Sequence, residues 1–194
     1  MAGERDGLSF FETSAYIEVP LGSETSIVAM PWVEQSYDSE DGWRAEATAS
    51  VKRALFREGP FVAAVQGGAF WDSHPAEGCE EGGGELRVLG GSSFTGFGNS
   101  GFVNVEAAAR ALRGGCQSER LDLTLGYAPA ENWLAMGQVF VDAPHQREQT
   151  VKAQLTLVYF RPNGRGIQVG LRSRIDGGAS EAALVIGWWG RQGD

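Results

Sequence analysis

The residues of this chain that could carry out chemistry are two histidines, two cysteines and a long series of charged side chains. His74 follows Ser73, and His145 lies three residues after Asp142. A serine, a histidine and an acid are the parts of a hydrolase that acts through an activated hydroxyl. No nucleophile motif surrounds either histidine, so we interpret both as solvated loop residues. We expect no catalytic residue and no enzymatic activity.

Cys79 and Cys116 fall in two longer polar segments, 73–84 and 114–119, which are separated by one pair of apolar segments. Neighbouring β-strands lie about 4.8 Å apart, so flexible loops on adjacent strands could bring the two sulfur atoms together. No further cysteine or well-spaced histidine accompanies them, and we expect no metal site. We favour a disulfide over two free thiols, since an oxidising compartment would permit it.

A larger set of polar residues alternates along the chain with apolar ones, and both signs of charge are mixed in it. If these side chains lined the inside of a narrow barrel, opposite charges could pair across it and fill it. The alternative is the solvated outer face of a soluble sheet. The predicted lumen-facing residues are Glu12, Glu18, Arg44, Glu46, Lys52, Glu85, Arg87, Glu106, Arg110, Arg120, Asp122, Lys152, Gln154, Arg172 and Arg174.

The elements that would position these side chains are β-strands with one apolar face. In 151–160, Val151, Ala153, Leu155 and Leu157 alternate with polar residues. Successive side chains of a strand point to opposite faces, and about ten tilted residues span the roughly 25 Å apolar band of a membrane barrel. The same alternation recurs in the segments 11–19, 43–55, 103–111, 121–127 and 167–171.

Length and composition exclude several classes of protein. The 194 residues contain no linker-like stretch, which predicts one domain. A net charge of -9 argues against nucleic-acid binding, which needs a basic surface. A mean hydropathy of -0.21 and the lack of any apolar run of about 18 residues exclude helical membrane spans. A β-barrel passes this test, because only every second residue of its strands meets lipid.

The connections between these segments alternate between short and long. The short turns are 21–23, 58–60, 98–101, 129–132 and 162–164, and the longer polar loops are 36–42, 73–84, 114–119, 143–149 and 176–180. Tight turns at one rim and longer loops at the other are typical of an up-and-down barrel. The sequence therefore predicts an all-β, antiparallel meander barrel.

About eleven strands can be counted, whereas single-chain bacterial barrels have an even number. We therefore predict a twelve-stranded barrel in which 1–194 is one domain that lacks its first strand. A secretory signal begins with a basic segment that is followed by an apolar one, and the polar segment 1–7 shows neither. We therefore also expect that the signal peptide is missing from this chain.

Large aromatic residues gather near the predicted strand ends. Amphipathic rings favour the boundary between membrane and water, so this placement predicts an aromatic girdle. Ordinary packing at strand ends is the alternative. The predicted girdle residues are Trp43, Trp71, Tyr127, Trp133, Tyr159, Trp188 and Trp189.

Four segments carry a resemblance to a known group: SAYIEVPLGSETSIVA, GFVNVEAAARAL, ERLDLTLGYAPAENWLAMGQVF and GRGIQVGLRSRID. They resemble strand-turn-strand units of transporter-like outer-membrane barrels of proteobacteria, in particular the phenol-degradation pathway family. The resemblance covers nearly the whole chain. It implies an outer-membrane location in a Gram-negative bacterium and passage of small apolar solutes.

These observations predict a porin-like barrel that contacts the lipid bilayer and acts as a passive channel or uptake barrel, without a cofactor. The rival hypothesis is a soluble antiparallel barrel or sandwich whose apolar faces point inward and bind an apolar ligand. Alternation alone does not distinguish inside from outside.

Overall fold

The structure is a computed structural model that describes residues 1–36, 42–96, 98–178 and 180–190. Parts of two predicted loops, residues 37–41 and 179, lie outside these ranges. The described residues form thirteen β-strands. Their bounds are β1 Ala2–Arg5, β2 Leu8–Ser14, β3 Ile17–Pro20, β4 Thr25–Ser36, β5 Trp43–Glu58, β6 Phe61–Asp72, β7 Gly82–Gly96, β8 Asn99–Leu112, β9 Cys116–Ala130, β10 Trp133–Ala143, β11 Thr150–Phe160, β12 Gly166–Arg174 and β13 Glu181–Trp189.

The strands form one antiparallel meander that closes on itself. From β4 to β13 each strand pairs with the next one along the chain. β2 and β3 both pair with β4, at different parts of its length, so they share one position in the wall. β1 pairs with β2 on one side and with β13 on the other, which completes a barrel of twelve positions.

This architecture confirms the predicted all-β meander barrel, but the predicted strand 11–19 is interrupted at residues 15–16 and divided between β2 and β3. The predicted strand 151–160 is β11, and 43–55 is the first part of β5. None of the described residues belongs to a helix that is long and apolar enough to cross a membrane.

The sequence predicts eleven strands and a missing twelfth, whereas the structure fills the twelfth position of the wall. It is occupied by β1, a strand of only four residues whose sequence is Ala-Gly-Glu-Arg. So short and polar a segment carries no alternation that sequence analysis could detect. Its pairing with β13, from Ala2 opposite Leu184 to Arg5 opposite Glu181, is a tertiary contact between the two ends of the chain.

The apolar faces of the strands point outward. Leu155 is 72% exposed, Leu171 67% and Leu86 58%, whereas Gln66 is 2% exposed and Thr156 6%. In a soluble protein such an extended apolar surface would be unstable, but it suits contact with lipid. The rival hypothesis, with apolar faces directed inward, is therefore wrong about the orientation of the strands.

The inner surface is so strongly curved that glycine is required at some positions. On β6, a Cβ atom at the inward position Gly68 would lie 2.1 Å from the carbonyl oxygen of Ala49 on β5. At the neighbouring outward position, Gly67, the nearest atom would be 3.8 Å away. Gly68 thus allows β5 and β6 to approach where the wall bends.

We expect Gly68→Ala to lower the free energy of unfolding by about 1 to 3 kcal/mol, because its methyl group overlaps the backbone of β5. The matched variant Gly67→Ala should stay within about 0.5 kcal/mol of the wild type. Urea unfolding in lipid vesicles, followed by tryptophan fluorescence, measures both. Equal effects of the two variants would contradict the requirement for glycine at position 68, where β5 and β6 approach closely.

Candidate functional site

The predicted lumen-facing residues are all buried or half-buried. Two of their ion pairs cross the interior. Arg110 on β8 lies 3.2 Å from Glu46 on β5, and Arg172 on β12 lies 2.6 Å from Glu12 on β2. Each of these pairs passes over two intervening positions of the wall. The interior is therefore narrow enough for side chains to meet across it.

A first group of charges surrounds the junction between β1 and β13. We call it the closure cluster: Arg5, Glu12, Glu34, Lys152, Arg172 and Glu181. Its centre is the Glu181 carboxylate, whose side chain is 1% exposed. This carboxylate lies 2.9 Å from Arg5, 3.1 Å from Lys152 and 3.2 Å from Arg172.

Arg5 also binds Glu34 on β4 with two parallel hydrogen bonds of 3.0 and 2.8 Å. Such a bidentate arrangement fixes geometry as well as charge. Because Arg5 belongs to β1, Glu181 to β13 and Glu34 to β4, the side chains reinforce the backbone pairing that closes the barrel.

A second group of charges lines β5 to β10. We call it the acidic cluster: carboxylates Glu46, Asp72, Glu85, Glu106, Asp122 and Asp142 with guanidinium groups Arg44, Arg87, Arg110 and Arg120. Arg87 lies 2.8 Å from Glu106 and 3.3 Å from Glu85, and Arg110 lies 2.7 Å from Glu85. Six carboxylates share four cations, so this side of the lumen is negative.

Sequence analysis missed several partners in these clusters. Arg5 lies in the unrecognised strand β1, and Glu181 is the first residue of β13. Alternation within β4 and at the ends of β6 and β10 could have identified the others. The missed residues are Arg5, Glu34, Asp72, Asp142 and Glu181.

Near the tight-turn rim the lumen widens into a cavity of about 450 Å³. On one wall Lys52 binds Glu18 and donates a 3.0 Å hydrogen bond to Tyr16. The lining also includes Gly90 and Gly91 of β7. The other predicted polar residues also have partners: Gln154 donates to Gln138 at 2.9 Å, and Arg174 donates to Asp176 at 2.6 Å.

The predicted disulfide is present between Cys79 and Cys116, whose Cα atoms are 5.8 Å apart. The bond links the loop after β6 to the start of β9 across the β7–β8 hairpin. In the chain-entropy model, a cross-link over 37 residues stabilises the folded state by about 3 to 4 kcal/mol.

Sequence analysis placed neither histidine near the disulfide, yet His145 has a ring nitrogen within 4.8 Å of both sulfurs. The bond occupies both sulfurs, so the three residues do not form a metal site in this state.

The serine and histidine of the hydrolase alternative do meet, because Ser73 Oγ lies 2.7 Å from His74 Nδ1. The nearby acid does not complete the set. Asp72 accepts a 2.9 Å hydrogen bond from the backbone N–H of His74, so it does not orient the imidazole ring. The arrangement stabilises the start of the loop rather than preparing a nucleophile.

The predicted girdle residues lie at or near strand ends. Trp43 and Trp71 are beside the longer loops, and Trp133 stacks with Tyr159 at the tight-turn rim, with ring centroids 4.9 Å apart. Trp188 is 81% exposed on the outer face. Trp189 differs, because alternation turns it inward, where its indole N–H donates to Gln168 at 2.7 Å. The other predicted member, Tyr127, receives a 3.3 Å hydrogen bond from Asn99.

At the loop rim, Asp176 accepts hydrogen bonds from the Arg174 guanidinium at 2.6 Å and from the backbone N–H groups of Gly178 and Val151 at 2.9 and 2.7 Å. The bond from Arg174 contributes most, and together they lower the pKa of Asp176 from 3.8 to about 2. The carboxylate thereby holds the loop after β12 to the start of β11.

We expect Glu181→Gln to lower the free energy of unfolding by about 3 to 5 kcal/mol, because it leaves buried cations without their shared partner. Glu131→Gln, in an exposed turn, should stay within about 0.5 kcal/mol of the wild type. Adding Lys152→Gln to Glu181→Gln should recover part of the loss, since Lys152 then no longer lacks its anion. Urea unfolding in vesicles tests all three, and a neutral Glu181→Gln variant would contradict the role of the closure cluster.

Asp176 supplies a pH-dependent contact. Because its folded pKa is below the ordinary value, the stabilisation is present above about pH 4 and is lost as the pH falls through about 2. We expect the Val151 amide resonance in detergent micelles to titrate with a midpoint near pH 2, and Asp176→Asn to abolish this titration. A midpoint near pH 4 would show that the hydrogen bonds do not act on the carboxylate.

No family model matches the sequence, and no curated protein matches it. Among solved structures, the chain is similar to one described as a KdgM porin, with a TM-score of 0.60. The likeness covers 98% of this chain and 96% of the other, at 9% sequence identity. At this identity the comparison bears on the fold alone. It identifies the fold as a closed β-barrel like that of the porin.

Proposed function

We propose that this protein is a passive channel for small molecules in the outer membrane of a Gram-negative bacterium. The observation that carries the proposal is the arrangement of the wall: an exposed apolar outer face encloses an interior lined with ion-paired side chains. An exposed apolar belt suits contact with lipid, and a polar interior suits the passage of small solutes, so both features support the proposal. The porin-like fold supports the same function.

The dimensions of the interior limit the solutes to small ones. Inward-facing Val28 and Val158 are 0% exposed and Met136 is 5% exposed, so side chains fill part of the cross-section. The cavity at the tight-turn rim is of a size that holds a small molecule. Membership of the phenol-degradation family and a small apolar cargo, which the sequence resemblance implies, stay predictions.

The acidic cluster gives the proposed channel a preference for cations. Its excess of carboxylates over guanidinium groups leaves negative charge beside the path, whereas the closure cluster has three cations and three anions. Rings of acidic side chains favour cation passage, and low-dielectric walls strengthen their field.

We expect the purified protein, refolded into planar bilayers, to conduct with a higher permeability to K⁺ than to Cl⁻. Asp142 is 35% exposed and lies 3.8 Å from Arg120, so Asp142→Asn removes one lumen charge without breaking a short contact. This variant should lower the permeability ratio by roughly twofold. Asp176→Asn removes an equal charge at the rim and should change the ratio less.

The location is tested separately, by expression behind a secretory signal. We expect recovery with outer membranes and faster gel migration before heating than after it. Recovery as a monomer without detergent would contradict the proposed location. A lack of conductance in the bilayers would contradict the proposed channel. Conductance without a preference for K⁺ over Cl⁻ would contradict its proposed selectivity.

A further inference from the structure

Two cysteines and a histidine from three separate segments meet at the loop rim. Cys79 belongs to the loop after β6, Cys116 begins β9, and His145 follows the end of β10. The two sulfur atoms and an imidazole nitrogen all lie within 4.8 Å of one another. Two cysteine sulfurs and one histidine nitrogen are a ligand set that zinc uses in proteins.

The register of the sheet brings His145 to this place. β9 and β10 pair as far as Ala143 opposite Glu119. Two further residues in the same register would place position 145 opposite position 117, beside Cys116. Gln146 adopts a left-handed backbone with φ of 55°, so the chain turns directly after the histidine. The third ligand is thus supplied by pairing between strands, which the spacing of residues in the sequence does not show.

The imidazole ring of His145 is available to bind a ligand. It is half-buried, and in the described part of the chain it has no hydrogen-bond or ion-pair partner. The other histidine differs, because Ser73 Oγ lies 2.7 Å from Nδ1 of His74 and Trp43 packs against its ring with centroids 6.1 Å apart. Of the two histidines, His145 is therefore the one that can serve a metal ion.

Backbone hydrogen bonds hold the two cysteines together independently of the disulfide. The N–H of Glu80 bonds to the carbonyl of Arg113 at 3.1 Å, and the N–H of Arg113 bonds to the carbonyl of Gly82 at 3.1 Å. These bonds join the residues that follow Cys79 to the turn that precedes Cys116. We therefore expect the two thiols to stay close when the disulfide is reduced.

We propose that reduction of the disulfide converts this cluster into a binding site for one zinc ion, held by Cys79, Cys116 and His145. In the reduction, two molecules of a low-molecular-weight thiol supply two electrons and two protons and become a disulfide themselves. Zinc then binds the two protein thiolates with release of both protons, and water completes the tetrahedron. The proposal is independent of channel activity.

The geometry allows such a site without movement of the backbone. Zinc lies about 2.3 Å from a sulfur ligand, so the two sulfurs of one site are at most about 4.6 Å apart. The Cα atoms of Cys79 and Cys116 are 5.8 Å apart, and rotation about the Cα–Cβ bonds separates the sulfurs over that range. A bound ion would join the loop after β10 to the two segments that the disulfide links.

The test compares the purified chain, folded in detergent, in two states: oxidised, and reduced with a phosphine that is removed before metal is added. Co²⁺ serves as a coloured probe of the zinc site. The reduced form should bind one equivalent of Co²⁺ with a sulfur-to-metal charge-transfer absorption, and Zn²⁺ should displace it with release of two protons per ion. The oxidised form should show no such absorption.

The variant His145→Ala distinguishes a three-ligand site from a pair of thiols. It retains both cysteines, so its folding can be verified by the disulfide and by heat-dependent gel migration before reduction. It should weaken zinc binding by about tenfold or more, because one ligand of three is removed. His74→Ala is the matched control and should leave the zinc affinity unchanged.

Four results would overturn the proposal. The first is a reduced form that shows no charge-transfer absorption with Co²⁺. The second is an equal zinc affinity of the wild type and His145→Ala. The third is equal zinc binding by the oxidised form, which would place the ion among carboxylates instead. The fourth is loss of the heat-dependent gel shift on reduction, because the site requires loops that stay folded without the disulfide.

Discussion

The structure depends on one constraint: the backbone hydrogen bonds of a sheet are satisfied within the protein when the sheet closes on itself. An open meander of this length would have two free edges, and only the pairing of β1 with β13 brings those edges together. Closure then fixes an inside and an outside for every strand, because side chains alternate with period two. The apolar belt and the charged lumen are two consequences of the same closure.

The charged interior follows from the small number of strands. A barrel of twelve positions is narrow, so long side chains from strands three positions apart meet in it, as Arg110 and Glu46 do at 3.2 Å. Burying a charge is unfavourable unless its partner is close and well oriented. This explains why the buried Glu181 carboxylate, 1% exposed, has three cations around it while exposed Glu80 and Arg113 are 4.0 Å apart.

The fold could be predicted from sequence because alternation is a local signal that each strand carries by itself. The strand β11 is recognisable from Leu155, Thr156 and Leu157 without any neighbour. The polar residues of the lumen are recognisable in the same way. What the alternation does not contain is which strands meet across the interior, so the pairing of Arg172 with Glu12, 160 residues apart, could not be predicted.

The failures of sequence reasoning have the same origin. β1 is too short to show a pattern, and Arg5 gains its significance only when β13 and β4 supply Glu181 and Glu34. Its place near a strand end predicts Trp189 as a girdle residue, and the register of β13 with β12 adds that its indole turns toward Gln168. Composition predicts where a residue type is favourable, whereas register decides which way it points.

The two charged clusters lie on different sides of the lumen and differ in their balance of charge. The closure cluster is balanced in charge and joins the strands at which the chain's ends meet, so its geometry suits holding the wall together. The acidic cluster lies on β5 to β10, where continuous hairpins already secure the wall, and it carries the excess of negative charge. In the proposed channel, that side would supply the negative field along the path of the solute.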